Sequence, residues 1–210
     1  SVTGRMKIVE GKNYLTLKKK ERANINISEN NILVEIDVKS CEPALLHAVL
    51  YNETPNDIYS IFSSEGIPRQ KVKIAVISSI YGSTISRVKK ISGLSESNIR
   101  KIHDHFQLSK IKNNIVKEYQ SQGFFYNMYG RPIYEISSPV NYWLQSSSAD
   151  YCCLAFLDLV NRVNLNVVAC IHDAILVEVS KEQYGFLSKV SRIFDPLSNI
   201  YLRVEHTKIK

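Results

Sequence analysis

The segment that decides the fold runs from Ala169 to Val179 and reads Ala-Cys-Ile-His-Asp-Ala-Ile-Leu-Val-Glu-Val. Two apolar runs rich in β-branched residues are separated by His172-Asp173 alone, and this spacing predicts a β-hairpin. His-Asp is not a usual pair for a two-residue turn, so its presence needs a reason. A carboxylate on a rigid hairpin tip can meet a hard metal ion at little cost in loop entropy. From this segment alone, an ordinary surface turn is the alternative.

A second carboxylate stands at the end of another predicted strand, because residues 31–37 read Asn-Ile-Leu-Val-Glu-Ile-Asp. A helix is predicted to start near Glu42, since the following Pro43 suits a first helical turn. Asp37 is expected to be exposed or functional, because a buried carboxylate without a partner is costly. Two strand-borne aspartates can hold two divalent ions for phosphoryl transfer. Neither Asp37 nor Asp173 establishes such a site alone.

Composition sets the broader limits. The 210 residues can form one large domain or two small ones with a real core. The formal charge of +7 favours an anionic partner, although many basic proteins bind no nucleic acid. The basic run Lys18, Lys19, Lys20 and Arg22 predicts a solvated face, with a phosphate-contacting strip as the alternative.

The sequence also limits the compartment. No apolar run is long enough for a membrane span, and the N-terminus lacks signal-peptide features, so we expect an intracellular protein with no membrane partner. The spacing of Cys41, Cys152, Cys153 and Cys170 matches no zinc pattern, and an adjacent pair rarely bridges. Reduced core thiols are therefore predicted.

A four-residue repeat marks residues 69–81, where Arg69, Lys73, Ile77 and Tyr81 fall along one stripe of a predicted helix. Two cations, an apolar side chain and an aromatic ring in line could hold a triphosphate at one end and a base at the other. An amphipathic helix with a solvated Arg and Lys is the plain alternative.

The remaining pattern predicts an α+β chain built around an antiparallel sheet. Strands are predicted over 31–37, 166–171, 174–179 and 200–205. Helices are predicted between the strands, including a long one over 139–163 and another over 181–194.

Taken in order, these motifs resemble the polymerase core of family-A DNA polymerases, the polymerase I type. The matching segments are 3–5 (primer-contacting motif), 37–42 (motif A), 69–82 (motif B, the fingers helix), 129–131 and 141–150 (the next two blocks) and 172–179 (motif C). Several motifs in the family's order are far more specific than any single one.

The resemblance implies a right-hand polymerase fold with an antiparallel palm sheet and a helical fingers subdomain. It places the palm in residues 1–50 and 136–210 and trimmed fingers in residues 51–135. It also implies that the thumb and the exonuclease domain, which precede the matched region in relatives, are lacking. We therefore expect one subunit of a split polymerase, with a second protein chain supplying thumb or exonuclease. Cytoplasmic location is expected, in a bacterial or virus-infected cell. The frequent use of Asn, Ile and Lys suggests an AT-rich genome, which agrees with a viral source.

The implied activity is template-directed addition of dNTPs to a primer 3′-hydroxyl by two-metal phosphoryl transfer. Catalytic and metal-binding roles would fall to Asp37 and Asp173 with the Val38 carbonyl, on two Mg²⁺ ions with Mn²⁺ as a substitute. Nucleotide binding would fall to Arg69, Lys73, Ile77, Tyr81 and Glu42, the last of which screens out ribose. Contacts to primer-template DNA would fall to Arg5, Asn141, Gln145 and His172.

The chain departs from the family pattern at two positions. Ile77 stands where motif B usually carries Phe or Tyr, and Ala174 stands where an acidic residue commonly follows the motif C aspartate. One alternative is a nucleotidyl transferase like the single-subunit RNA polymerases, against which Glu42 argues. The other is a non-catalytic nucleic-acid-binding remnant, against which the pair Asp37 and Asp173 argues.

Overall fold

The computed structural model describes residues 1–7, 9–10, 14–63 and 66–210, without the side chains of Tyr14 and Lys19. Within these ranges the helices are α1 (Lys19–Arg22), α2 (Cys41–Tyr51), α3 (Arg69–Ile80), α4 (Ile85–Ser92), α5 (Glu96–His105), α6 (Leu108–Gln122), α7 (Pro139–Val163) and α8 (Lys181–Leu187). The strands are β1 (Ile32–Val38), β2 (Phe125–Tyr126), β3 (Pro132–Ile133), β4 (Asn166–Ile171), β5 (Ala174–Val179), β6 (Arg192–Asp195) and β7 (Ile200–Lys208). Short 3₁₀ segments span Tyr14–Thr16 and Ile58–Phe62. The predicted α+β class is confirmed.

The chain forms two compact units. Unit 1 comprises residues 1, 3–41 and 148–210, and unit 2 comprises residues 2 and 42–147. Unit 1 contains the large sheet, whereas unit 2 is mainly helical. The assignment of palm and fingers to residue ranges stays a prediction. In the described parts of the chain, no helix combines the length and apolarity needed to cross a membrane.

The sheet of unit 1 is antiparallel and has the strand order β4-β5-β1-β7-β6. Its central strand β1 is buried at every position except the half-buried Asp37, and Leu33, Val34 and Ile36 are fully buried. Burial along the whole strand is typical of a strand covered on both faces. Leu33 packs with Leu176 and others, and the segment around Ile25 covers this cluster.

The predicted hairpin is confirmed, because β4 and β5 pair on either side of His172-Asp173. His172 has a φ of 52°, in the left-handed region. Histidine is one of the few non-glycine residues found there more often than average, which explains how a His-Asp pair can close this turn.

The predicted helix over 181–194 is wrong in its second half. The helix α8 ends at Leu187, and the edge strand β6 follows from Arg192. Asp195 precedes Pro196, and a residue before proline is disfavoured in the helical region. Its buried carboxylate instead accepts hydrogen bonds from the backbone N–H groups of Leu197 (3.0 Å) and Ser198 (3.1 Å), which fixes the turn into β7.

The helices of unit 2 pack around one apolar core. Fully buried residues from α3, α4 and α5 meet there, among them Val76, Ile80, Val88, Ile99 and Ile102. The small β2–β3 hairpin contributes a second cluster. These helices carry the residues that the sequence assigns to nucleotide binding.

Glu178 fastens the end of β5 opposite to Asp173. Its carboxylate accepts hydrogen bonds from the side chain of Asn31 (2.7 Å), the backbone N–H of Ser28 (2.7 Å) and the side chain of Asn166 (3.2 Å). These bonds, that from Asn31 first, lower the pKa of Glu178 below its ordinary value of 4.5. The ionised carboxylate is thus the form that the fold stabilises.

We predict that Glu178→Gln lowers the melting temperature at pH 7. Because the folded-state pKa is depressed, this stabilisation is present above the unfolded-state pKa and is lost as the pH falls below 4.5. The difference between variant and parent should therefore shrink as the pH is lowered, as measured by thermal unfolding between pH 7 and pH 3. Glu182→Gln, on the exposed first turn of α8, is the comparison variant, because it removes the same charge at an exposed position. A pH-independent difference for Glu178→Gln would contradict the prediction.

Candidate functional site

The register of the unit 1 sheet places Asp37 and Asp173 at adjoining strand ends. Asp37 is paired with Ala174, and the backbone N–H of Val38 donates a 2.9 Å hydrogen bond to the carbonyl of Asp173. Both aspartate side chains are half-buried. Two carboxylates far apart in sequence are thus carried by neighbouring strands of a rigid sheet.

Carboxylates at these two strand ends could serve as ligands for a hard divalent cation. Over the described ranges, no group of three or more His, Cys, Asp or Glu side chains is placed to hold a metal ion. Mg²⁺ prefers oxygen ligands and is usually held through one or two carboxylates together with substrate phosphates. The carbonyl of Val38, the predicted third ligand, belongs to the same strand end, and its role stays a prediction.

The structure adds two residues that the sequence prediction missed. Glu205 of β7 is paired with Asp37, so the two acidic side chains lie on the same face of the sheet. Lys39 forms an ion pair with Glu205. Two like charges that face each other across a strand pair destabilise it. Lys39 offsets the charge of Glu205 beside Asp37. The alternation of apolar and polar residues along β7 indicates a strand, but it does not reveal which strand pairs with it.

His172 is exposed at the hairpin tip and lines a mostly apolar cavity of about 280 Å³ in unit 1. Cys152 also lines it, and its sulfur lies 3.5 Å from that of Cys41. The hydrogen bond with Cys41, and then burial, raise the pKa of Cys152 well above its usual value, and the charge of Asp173 acts in the same direction. Both thiols are buried, whereas Cys153 is exposed, so not every cysteine is a core residue.

The N-terminal residues assigned to primer contact also belong to unit 1. Arg5 is half-buried and follows Gly4, whose φ of 71° is suited to glycine. The carbonyl of Arg5 accepts a 2.9 Å hydrogen bond from the Ser1 hydroxyl. A role in primer contact stays a prediction.

The basic run is not one uniform surface. Lys18 and Lys20 are exposed, while the side chain of Lys19 lies outside the described residues. Arg22 is nearly buried and forms an ion pair with Glu35 of β1. Arg22 therefore helps to hold the N-terminal segment on the sheet, and the exposed Lys18 and Lys20 remain suited to phosphate contact.

In unit 2, Glu42 and Tyr81 are in direct contact. The Tyr81 hydroxyl donates a 2.7 Å hydrogen bond to Oε2 of Glu42. Glu42 lies in the first turn of α2 and is buried, and Tyr81 ends α3 with its ring against the unit 2 core. This hydrogen bond fixes the Glu42 and Tyr81 side chains against each other, although they are 39 residues apart in sequence.

Arg69, at the start of α3, is held by a residue that the sequence prediction did not consider. Its Nε and Nη2 donate to the two carboxylate oxygens of Asp57, at 2.6 and 2.9 Å. Its guanidinium carbon lies 4.9 Å from the ring centroid of Tyr59. Asp57 also accepts from the N–H of Tyr59, which fixes the 3₁₀ segment that follows. Arg69 is therefore held in a defined orientation before any phosphate binds.

The other predicted residues of α3 and α7 have mixed surroundings. Lys73 is exposed one turn after Arg69, whereas Ile77 is half-buried and packs against the unit 2 core. Asn141 and Gln145 are half-buried, one turn apart on α7. Oδ1 of Asn141 is buried and has no hydrogen-bond partner among the described residues. A contact between this amide and DNA stays a prediction.

The 129–131 block is a turn pinned within unit 2. The side chain of Asn127 accepts from the N–H groups of Tyr129 (3.0 Å) and Arg131 (2.9 Å), and Gly130 has a φ of 75°. Nη2 of Arg131 donates to the carbonyl of Ser146 on α7 at 3.1 Å. The block thus supports the α7 segment that carries Gln145.

The sequence matches no protein-family model and no curated protein. The structure is similar to the POL domain of Pol1 from M. smegmatis, solved in complex with a DNA primer-template and dNTP, with a TM-score of 0.72 and 17% identity. The match covers 99% of this chain and 46% of that one, so the chain spans about half the length of its structural neighbour. This likeness confirms the predicted polymerase fold of the palm-and-fingers type.

Proposed function

We propose that this protein is a template-directed DNA polymerase core that adds dNTPs to a primer 3′-hydroxyl. The observation that carries the proposal is the placement of Asp37 and Asp173 on adjoining strand ends, in a chain with the fold of a DNA polymerase domain. The order of the sequence motifs supports the polymerase I type in particular. Palm residues 1–50 and 136–210 and fingers residues 51–135 are part of the same proposal.

In unit 1, Asp37 and Asp173, with the Val38 carbonyl, would bind two Mg²⁺ ions, which Mn²⁺ could replace. When bound, such ions activate the attacking hydroxyl and stabilise the leaving pyrophosphate. The rigid sheet fixes the backbone of both residues on adjoining strand ends without a ligand, so little ordering of the chain is needed on binding. Arg5 and His172 would contact the DNA.

In unit 2, Lys73 would contact the triphosphate as a point charge, and Arg69 would do so through the edge of its guanidinium that Asp57 does not occupy. The hydrogen-bonded pair of Glu42 and Tyr81 would bound the sugar. Ile77, already packed against the core, offers less surface for stacking than an aromatic ring would. Asn141 and Gln145 would position the duplex, because contacts of this kind orient DNA without reading its sequence.

Primer extension by the purified chain tests the proposal. A labelled primer on a longer template is incubated with Mg²⁺ and either dNTPs or rNTPs, and products are resolved at single-nucleotide length. We expect additions dictated by the template and a preference for dNTPs. A preference for rNTPs would favour the RNA-synthesising alternative. DNA binding without incorporation, in both Mg²⁺ and Mn²⁺, would favour the non-catalytic one.

A second protein chain that helps to hold the duplex stays a prediction. The chain spans 46% of its structural neighbour, so functions of the rest of that protein are not assigned to these residues. Product length should increase when co-purified partners are present. A monodisperse monomer that extends primers processively at physiological salt would contradict this expectation.

A further inference from the structure

Two histidines connect α2 and α5 within unit 2. His47 lies on α2, and His105 is the last residue of α5. Nδ1 of His47 lies 3.0 Å from Nε2 of His105. The two rings are nearly parallel, with an interplanar angle of 14° and centroids 5.1 Å apart. We call these residues the histidine pair. Neither of them belongs to the site proposed for nucleotidyl transfer, and no sequence motif drew attention to them.

A carboxylate extends the histidine pair to the surface of unit 2. Asn52, with a φ of 55°, donates a 2.8 Å hydrogen bond from its N–H to the carbonyl of Ala48, which ends α2 and turns the chain back. Oε1 of Glu53, the next residue, thereby lies 3.1 Å from Nε2 of His47. The side chain of His47 is only 2% exposed, whereas that of Glu53 is 70% exposed. The buried imidazole of His47 is therefore held between a solvated carboxylate and a second imidazole.

These two contacts determine where the imidazole hydrogens lie. An ionised carboxylate can only accept a hydrogen bond, so Nε2 of His47 donates to Glu53. In a neutral His47 the other nitrogen, Nδ1, is then an acceptor, and Nε2 of His105 donates to it. Both contacts are thus satisfied with both imidazoles neutral. The arrangement assigns the Nε2–H tautomer to each histidine.

Aromatic rings pack around His105. The hydroxyl of Tyr51, on α2, donates a 2.7 Å hydrogen bond to the carbonyl of His105, and its ring centroid lies 4.9 Å from that of the imidazole. The rings of Phe62 and Phe106 each lie at 88° to the imidazole, with centroid distances of 4.9 Å. The titratable groups placed beside the pair are therefore Tyr51 and Glu53, whereas the 3₁₀ segment and the residue after α5 contribute apolar rings.

These surroundings favour uncharged imidazoles. Burial lowers the pKa of His105 from its ordinary value of 6.5, the charge of His47 acts in the same direction, and Glu53 acts in the opposite one. The other titratable residues near the end of α5 are Lys101, His103 and Asp104. The neutral pair is therefore the form that the fold stabilises.

The geometry of the pair limits how many protons it can take up. One proton leaves the contact intact, because Nε2 of a charged His105 still donates to Nδ1 of His47, and the end of a helix favours a cation. A second proton, on Nδ1 of His47, would set two N–H groups and two like charges against each other across 3.0 Å. The contact therefore does not survive double protonation.

We propose that the histidine pair is an acid-sensitive switch, which fastens α2 to the end of α5 while at most one imidazole is protonated and releases it when both are. Because the folded-state pKa of His105 is depressed, the stabilisation is present above the unfolded-state value of 6.5 and is lost as the pH falls below it. Glu42 lies in the first turn of α2, so the switch anchors the far end of the helix that carries the contact with Tyr81.

Thermal unfolding of the free protein between pH 8 and pH 5 tests the switch. His105→Gln keeps a side-chain N–H that can donate to His47 but cannot be protonated. Between these limits the melting temperature of the parent should fall by about 2 to 6 °C more than that of His105→Gln. Glu53→Gln removes the charge that offsets a proton on the pair, so its melting temperature should fall further than that of the parent. His103→Gln, which removes another half-buried imidazole of α5, is the matched control and should lose less of the fall than His105→Gln.

Nitrogen NMR of the imidazoles gives a second readout, which a merely structural role would not change. At pH 8, His47 should carry its hydrogen on Nε2, and titration of the folded protein should add one proton to the pair rather than two. A His47 with its hydrogen on Nδ1, or independent protonation of both histidines in the folded protein, would overturn the proposal. Equal pH dependence of the parent, His105→Gln and Glu53→Gln would also overturn it. Neither measurement contains DNA or nucleotide, so the outcome is independent of primer extension.

Discussion

Replacing Asp37 or Asp173 by asparagine is expected to abolish nucleotide incorporation and to leave primer-template binding intact or stronger. Asparagine keeps the shape of the side chain but removes a metal ligand and a negative charge near phosphates. A metal contact contributes several kcal/mol to the transition state, so each variant should lose about 10³-fold or more in rate. Single-turnover extension of a labelled primer measures the effect.

Glu205→Gln is the matched control, because Glu205 lies on the same sheet face as Asp37 but pairs with Lys39. It should retain most of the activity. Metal binding has its own readout: Mg²⁺ should raise the melting temperature of the parent and of Glu205→Gln, and have little effect on either aspartate variant. Parent-like extension by Asp37→Asn or Asp173→Asn would rule out the two-metal assignment.

The elements best predicted from sequence are those with strong local patterns. The hairpin at His172-Asp173 follows from two apolar runs with a two-residue spacer, and its strands were placed correctly. The helix predicted over 139–163 matches α7 at both ends. Both signals lie within one contiguous stretch of sequence, so these elements can be predicted without knowing their tertiary contacts.

What the sequence did not reveal is which distant residues become neighbours. Glu205 faces Asp37 only because β7 pairs with β1, and no local pattern encodes that choice of partner. The stripe of α3 predicted the position of Arg69, but Asp57 reaches it from a separate segment. The local pattern predicts helix where the edge strand β6 lies, because pairing with β7, rather than propensity, determines the conformation of this segment.

Glu42→Ala is expected to raise incorporation of ribonucleotides relative to deoxyribonucleotides by about 10-fold to 200-fold, the range by which a change in pocket contacts alters discrimination. The hydrogen bond from Tyr81 to Glu42 holds two side chains in a fixed arrangement in unit 2. If this pair bounds the sugar, its bulk excludes a 2′-hydroxyl by contact. Removing the Glu42 side chain opens that space, whereas the triphosphate contacts of Arg69 and Lys73 remain.

Two conservative variants separate bulk from hydrogen bonding. Glu42→Gln keeps the volume of the side chain, and Tyr81→Phe keeps the ring but loses the 2.7 Å hydrogen bond to Glu42. If the pair of Glu42 and Tyr81 excludes ribose by bulk, both variants should retain most of the discrimination, because each variant side chain still fills the space. If orientation by the hydrogen bond matters as much, Tyr81→Phe should fall between the parent and Glu42→Ala. Ratios of kcat/KM for matched dNTP and rNTP substrates decide between these cases. Unchanged ratios in Glu42→Ala would show that Glu42 has no part in sugar selection. If the parent enzyme already prefers rNTPs, RNA synthesis is the better assignment of function.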